Sequence, residues 1–158
     1  MYSSSSDEAL GLLVGVYRGV VTDEDYARCI ESIVASDARA HARRIAHTCV
    51  LVADHDTASP PPKWRQRMAE ANNALLAERY YFAFVSPSLV LRGVFTAVQW
   101  LTRGRAGHRL AAFPSVAHAA AWVELNAGHS PLALRRLYER AFASLSSSAT
   151  GAAGARAI

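Results

Sequence analysis

Two kinds of hydrophobic pattern alternate along the chain. Residues 49–53 (CVLVA) and 80–86 (YYFAFVS) are short unbroken apolar runs. Because they lack polar alternation, they are predicted to be strands covered on both faces, as in the middle of a mostly parallel sheet. Residues 10–21 (LGLLVGVYRGVV) are rich in aliphatic residues and broken by Gly15 and Gly19. That predicts two short strands joined by a tight turn. Residues 109–113 (RLAAF) follow the glycine-punctuated stretch 104–107 and predict a further inner or edge strand.

Between these runs, apolar residues recur at helical spacing. Thr22 followed by Asp23, Glu24 and Asp25 reads as a hydroxyl cap with acid in the first turn. The helix it opens carries Tyr26, Ile30, Ile33, Val34 and Ala38 on one face and ends in Arg39, His41, Arg43, Arg44 and His47. Positive charge there suits the negative end of the helix dipole. A second helix is expected to start at Pro62, with Ser59 as its cap and Trp64, Met68, Ala71 and Leu75 as its apolar face. Leu91, Val94, Phe95, Val98 and Leu101 mark a third, and Ser115 caps a fourth bearing Val116, Ala119, Ala120 and Val123. Ser130 and Pro131 open a fifth, whose stripe is Leu134, Leu137, Tyr138, Ala141, Phe142 and Leu145. That stripe must either pack back on the domain or pair with a second copy, giving a homodimer through the C-terminal helix.

The fold class expected is therefore α/β, a mixed four- to five-stranded sheet flanked by helices with an extra C-terminal helix. At 158 residues, 51% hydrophobic and 19% charged, the chain suits one globular domain. Its expected span is residues 9–145, after a serine-rich disordered leader (1–8) and before a low-complexity mobile tail (146–158). Residues 80–101 are apolar but interrupted by Ser86-Pro87-Ser88, Arg92 and Gly93, which argues against a membrane span.

Net charge is +4, carried by arginine with Lys63 as the sole lysine. No arginine cluster is interleaved with aromatics, so no nucleic-acid partner is expected. The basic end of the first helix allows weak contact with an anionic membrane surface. Cys29 and Cys49 fall on a predicted helix and a predicted strand and read as small buried hydrophobes. With no secretory signal pattern at the N-terminus, a cytoplasmic setting is the default.

Candidate chemistry gathers where the first central strand ends. Asp54, His55 and Asp56 form the densest set of ionisable groups. No His-x-x-x-His or Cys-x-x-Cys spacing supplies further metal ligands, no Gly-x-Ser-x-Gly elbow is present, and residues 104–107 lack the lysine of a phosphate-binding loop. No metal, cofactor or catalytic residue is therefore expected, and the chain reads as a non-enzyme. Trp100 and Trp122 sit among apolar neighbours on helices and read as core or half-buried.

The strand and helix order resembles the STAS domains of anti-sigma-factor antagonists, and more particularly the SpoIIAA-like bacterial proteins. The matching stretches are residues 19–24 (GVVTDE), 50–54 (VLVAD) and 112–123 (AFPSVAHAAAWV), within a region of about 10–125. The resemblance implies a regulatory, signalling, protein-interaction module in which a hydroxyl at the mouth of the second helix is phosphorylated by a partner kinase, switching partner binding. The corresponding loop here offers Thr57 and Ser59 but lacks the family's Asp-Ser-Ser-Gly type motif. The first expectation is thus a protein partner, a kinase or other regulator, bound through Asp54, Thr57, Ser59, Lys63, Trp64 and Arg67, with Trp64 and Arg67 as exposed anchors. The alternative is a carrier or sensor of a small apolar ligand or lipid. Its cavity, of order 300 Å³ or more, would lie between the sheet and the helices bearing Phe95, Trp100 and Trp122.

Overall fold

A computed structural model describes residues 1–101 and 104–154. Its elements run β1 (Tyr2–Asp7), β2 (Leu12–Tyr17), α1 (Asp23–Ala42), β3 (His47–Ala53), α2 (Pro62–Asn73), β4 (Tyr80–Val85), α3 (Leu89–Leu101), β5 (His108–Phe113), α4 (Val116–Ala127) and α5 (Pro131–Gly154). The strands form one five-stranded sheet in sequential order. β1 is antiparallel to β2, and β2 through β5 are parallel. The expected α/β class with a mixed sheet flanked by helices is what the chain adopts.

Strand order explains how the helices are distributed. Each parallel connection steps to the next strand in one direction, so crossovers of one hand deliver their helices to one face. Tyr26 and Cys29 of α1, Trp64 of α2 and Leu91 of α3 pack there on Leu13, Cys49, Leu51, Phe82 and Phe84. After β5 the chain is free to turn under the sheet. α4 and α5 cover the other face, where Ala119, Val123, Leu134, Leu137 and Leu145 meet Val14, Val16, Val50, Val52 and Val85. The period-two geometry of the strands sorts the two sets. β3 and β4 are buried along their whole length, as their unbroken apolar runs imply.

The N-terminal expectation is corrected. Residues 1–8 are not a disordered leader: Tyr2–Asp7 forms an edge strand in register from Tyr2 opposite Tyr17 to Asp7 opposite Leu12. An edge strand needs little hydrophobicity, because backbone hydrogen bonds to β2 hold it. Tyr2 supplies the side-chain anchor, and it packs where Gly15 leaves room. A Cβ on Gly15 would lie 2.9 Å from the Tyr2 ring and 2.9 Å from Leu51 Cδ1. Accordingly residues 10–21 contribute one strand, β2, rather than the expected pair, and the hairpin partner lies upstream.

Helix starts follow their caps. Thr22 and Asp25 form a reciprocal capping box at α1. Ser115 accepts from the His118 N–H at α4. Ser59 does not cap α2: Pro61 occupies that position and no side chain caps it. On α1, Val34 and Ala38 face solvent, while Cys29, Ser36, Asp37 and Ala40 turn inward. His47 opens β3 fully buried rather than closing α1.

The α5 stripe packs back. Leu134, Leu137, Ala141 and Leu145 are buried within the chain's own second layer. A homodimer through that stripe therefore loses its apolar face. The helix continues to Gly154, into the expected tail of residues 146–158, and residues 155–158 lie outside the described residues. Among the described residues, no helix is long and apolar enough to cross a membrane.

Candidate functional site

The loop between β3 and α2 presents two faces. It leaves the sheet where the Asp54 N–H donates to the Tyr17 carbonyl, 3.2 Å, at the carboxyl ends of the parallel strands. On its outer face, His55 Nδ1 lies 2.8 Å from Asp54 Oδ1 and 2.8 Å from Asp56 Oδ1. The imidazole's hydrogen bond to Asp54 and its proximity to Asp56 raise the His55 pKa, and the same bond lowers that of Asp54. His55 and Asp56 are exposed, and no further histidine, cysteine or carboxylate joins the cluster among the described residues. Two carboxylates flank one imidazole, and the three form a surface group whose partners lie within the loop itself.

The inner face of the same loop closes a cavity. Thr57, Ala58 and Pro60 line it together with Leu51, Phe82 and Phe84 from the sheet, Ile30 and Ile33 from α1, Met68 and Ala71 from α2, and Phe95 and Val98 from α3. Its volume is about 100 Å³. Among the described residues no charged side chain lines it; its polar edges are Thr57, Asn72, Gln99 and three tyrosines, Tyr17, Tyr26 and Tyr80. Phe95 lies nearly parallel to Phe82 and Phe84, at ring-centroid distances of 5.5 and 5.1 Å and interplanar angles of 14° and 17°.

Two of these polar residues, Tyr17 and Thr57, bury a hydroxyl that has no hydrogen-bond partner among the described residues, and Thr57 is 8% exposed. Its backbone N–H donates to the Asp54 carbonyl at 3.0 Å, fixing where the side chain enters. As a phosphorylation candidate it is inaccessible in this conformation, whereas Ser59 is exposed.

Of the two expected anchors, Arg67 is exposed and Trp64 is not. Trp64 is 4% exposed, stacks on Tyr26 at 5.5 Å and donates its indole N–H to Asp23 Oδ1 at 2.6 Å. It clips α2 to α1 and offers no exposed anchor. Lys63 pairs with the same Asp23, and the Arg67 guanidinium sits 5.0 Å from the Trp64 ring centroid. Asp54 stands on the rim, half-buried, and pairs with His55.

The cavity departs from its expected shape. Phe95 lines it, but Trp122 belongs to the opposite layer, against Phe113 and Tyr81, and Trp100 is 82% exposed rather than core. Phe95 fills space between sheet and α3, so the void is smaller than expected. Sequence reasoning placed Thr57 on a surface and missed its turn inward.

The protein is thus a single-sheet α/β domain with an apolar cavity under its rim loop. The chain matches no family model, and no curated protein or solved structure is significantly similar to it.

Proposed function

We propose that this chain is a non-enzymatic binding domain that takes a small apolar molecule into the cavity between the sheet and helices α1 to α3. The cavity itself carries the reading: it is lined mostly by aliphatic and aromatic side chains, with no charged group among the described residues that line it. Pockets that bind small molecules combine such walls with a few placed polar groups. Because Thr57, Ala58 and Pro60 line the cavity while His55, Asp56 and Ser59 of the same loop face solvent, occupancy is felt at the surface a regulatory protein partner would read. The partner-binding role and the ligand-binding role then share one loop.

The chain has two methionines. Met68 lines the cavity and Met1 lies outside it, so their ε-methyl carbons form an internal pair of reporters. In a ¹³C-methyl titration with benzene, indole, cyclohexane and hexanol, at least one compound should move the Met68 resonance saturably, leave Met1 still and raise the melting temperature. If none shifts Met68 up to its solubility limit, the proposal is wrong.

A further inference from the structure

Resting on that reading, we propose that the ligand is a neutral, single-ring aromatic compound with one hydrogen-bonding group. Its ring lies along the Phe82, Phe84 and Phe95 wall and its polar group bonds the Thr57 hydroxyl.

Size sets the first limit. An apolar cavity of about 150 Å³ is known to stay dry and take up benzene or xenon. The space here, about 100 Å³, is of single-ring scale. Charge sets the second. With no cation or anion on the walls among the described residues, a charged ligand would lose its hydration and gain no counter-ion there, so acids and amines are disfavoured. Shape sets the third: the Phe95 ring lies within 14° of the Phe82 plane and 17° of the Phe84 plane, and a flat ring stacks on such aromatic faces over more area than a puckered one.

The decisive feature is Thr57. A buried hydroxyl without a partner is an unusual thing to keep, since the group is desolvated on folding and gains nothing in return. Valine has nearly the same shape and would fill the site without that penalty. A ligand carrying a hydroxyl, carbonyl or ring N–H completes the missing bond, because a threonine hydroxyl both donates and accepts. A site built this way discriminates strongly against an analogue lacking the polar group.

The Met68 ε-methyl titration, run with phenol, benzene, cyclohexanol and benzoate on wild type, Thr57→Val and Thr57→Ser, tests each limit. Wild type should bind phenol about tenfold more tightly than benzene, cyclohexanol more weakly than phenol, and benzoate not at all. Thr57→Val should fold, keep its benzene affinity and lose the preference for phenol; Thr57→Ser should retain that preference. Equal affinity for phenol and benzene in wild type overturns the inference, as does a phenol preference that survives Thr57→Val. Binding of cyclohexanol or benzoate as tight as phenol overturns it as well. Each of those results leaves the cavity reading standing, because benzene still shifts Met68. Failure of every compound sinks both.

Discussion

Asp25 ties the start of the chain to its first helix through one carboxylate. It accepts from the backbone N–H of Tyr2 at 2.9 Å, the backbone N–H of Thr22 at 2.9 Å, the Thr22 hydroxyl at 3.0 Å and Arg28 at 2.5 Å. Burial alone would raise its pKa, but the bonds from Thr22 and Arg28 win and hold it at about 2. The folded value lies below that of an unfolded aspartate, so the carboxylate contributes stability above about pH 4 and loses it as pH falls toward 2. Urea unfolding of wild type and Asp25→Asn should differ by about 2 kcal/mol near pH 6, with the gap closing between about pH 4 and pH 2. A gap independent of pH would show that the charge is not what holds β1 to α1. The Thr22–Asp25 half of this arrangement is local and legible in the sequence. The Tyr2 half is not, because it joins residues 23 positions apart. Cys29 and Cys49 need no such long-range knowledge. Both are free and buried, and burial pushes the Cys29 thiol up to about 11, so they serve as hydrophobes.

At the scale of elements, α5 shows how a helical stripe finds its surface. Leu137 is fully buried under the sheet, while Leu132, on the same helix, is 56% exposed. Leu137→Ala should cost about 2–5 kcal/mol by loss of contacts plus the cavity left behind. Leu132→Ala should stay within about 0.5 kcal/mol. Denaturant titration of the two variants decides it, and equal effects would mean that α5 does not pack as described. The stripe's spacing was readable as helix. Whether it met its own sheet or a second copy was not, since periodicity fixes the apolar face of an element and says nothing of what covers it. β1 shows the reverse limit: four consecutive serines carry no hydrophobic signal, yet pairing with β2 makes them strand.

At the scale of the whole molecule, the sheet is shared by two hydrophobic layers. Trp64 belongs to the layer beneath α1, α2 and α3, and Trp122 packs in the layer with α4 and α5. Neither layer can lose the sheet without exposing the other, so unfolding should be a single cooperative event. In Trp100→Phe combined with Trp64→Phe, emission follows Trp122; combined with Trp122→Phe, it follows Trp64. Each double variant should show fluorescence and far-UV circular dichroism transitions with the same denaturant midpoint. Separate midpoints for the two optical signals would show that the layers melt independently.

The sequence by itself determined what is periodic or local. The runs ending at Ala53 and Ser86 read as central strands, because strands without polar alternation are covered on both sides, and β3 and β4 are so covered. Caps such as Thr22 and Ser115 act within one turn, so they too could be read directly. Tertiary structure alone decided which way a loop turns its side chains. Thr57 faces a cavity and Trp64 faces Tyr26 because α1 and α3 stand where they do, and that placement depends on contacts far apart along the chain. A pocket is a volume that several elements leave unfilled, and no single segment of sequence contains it.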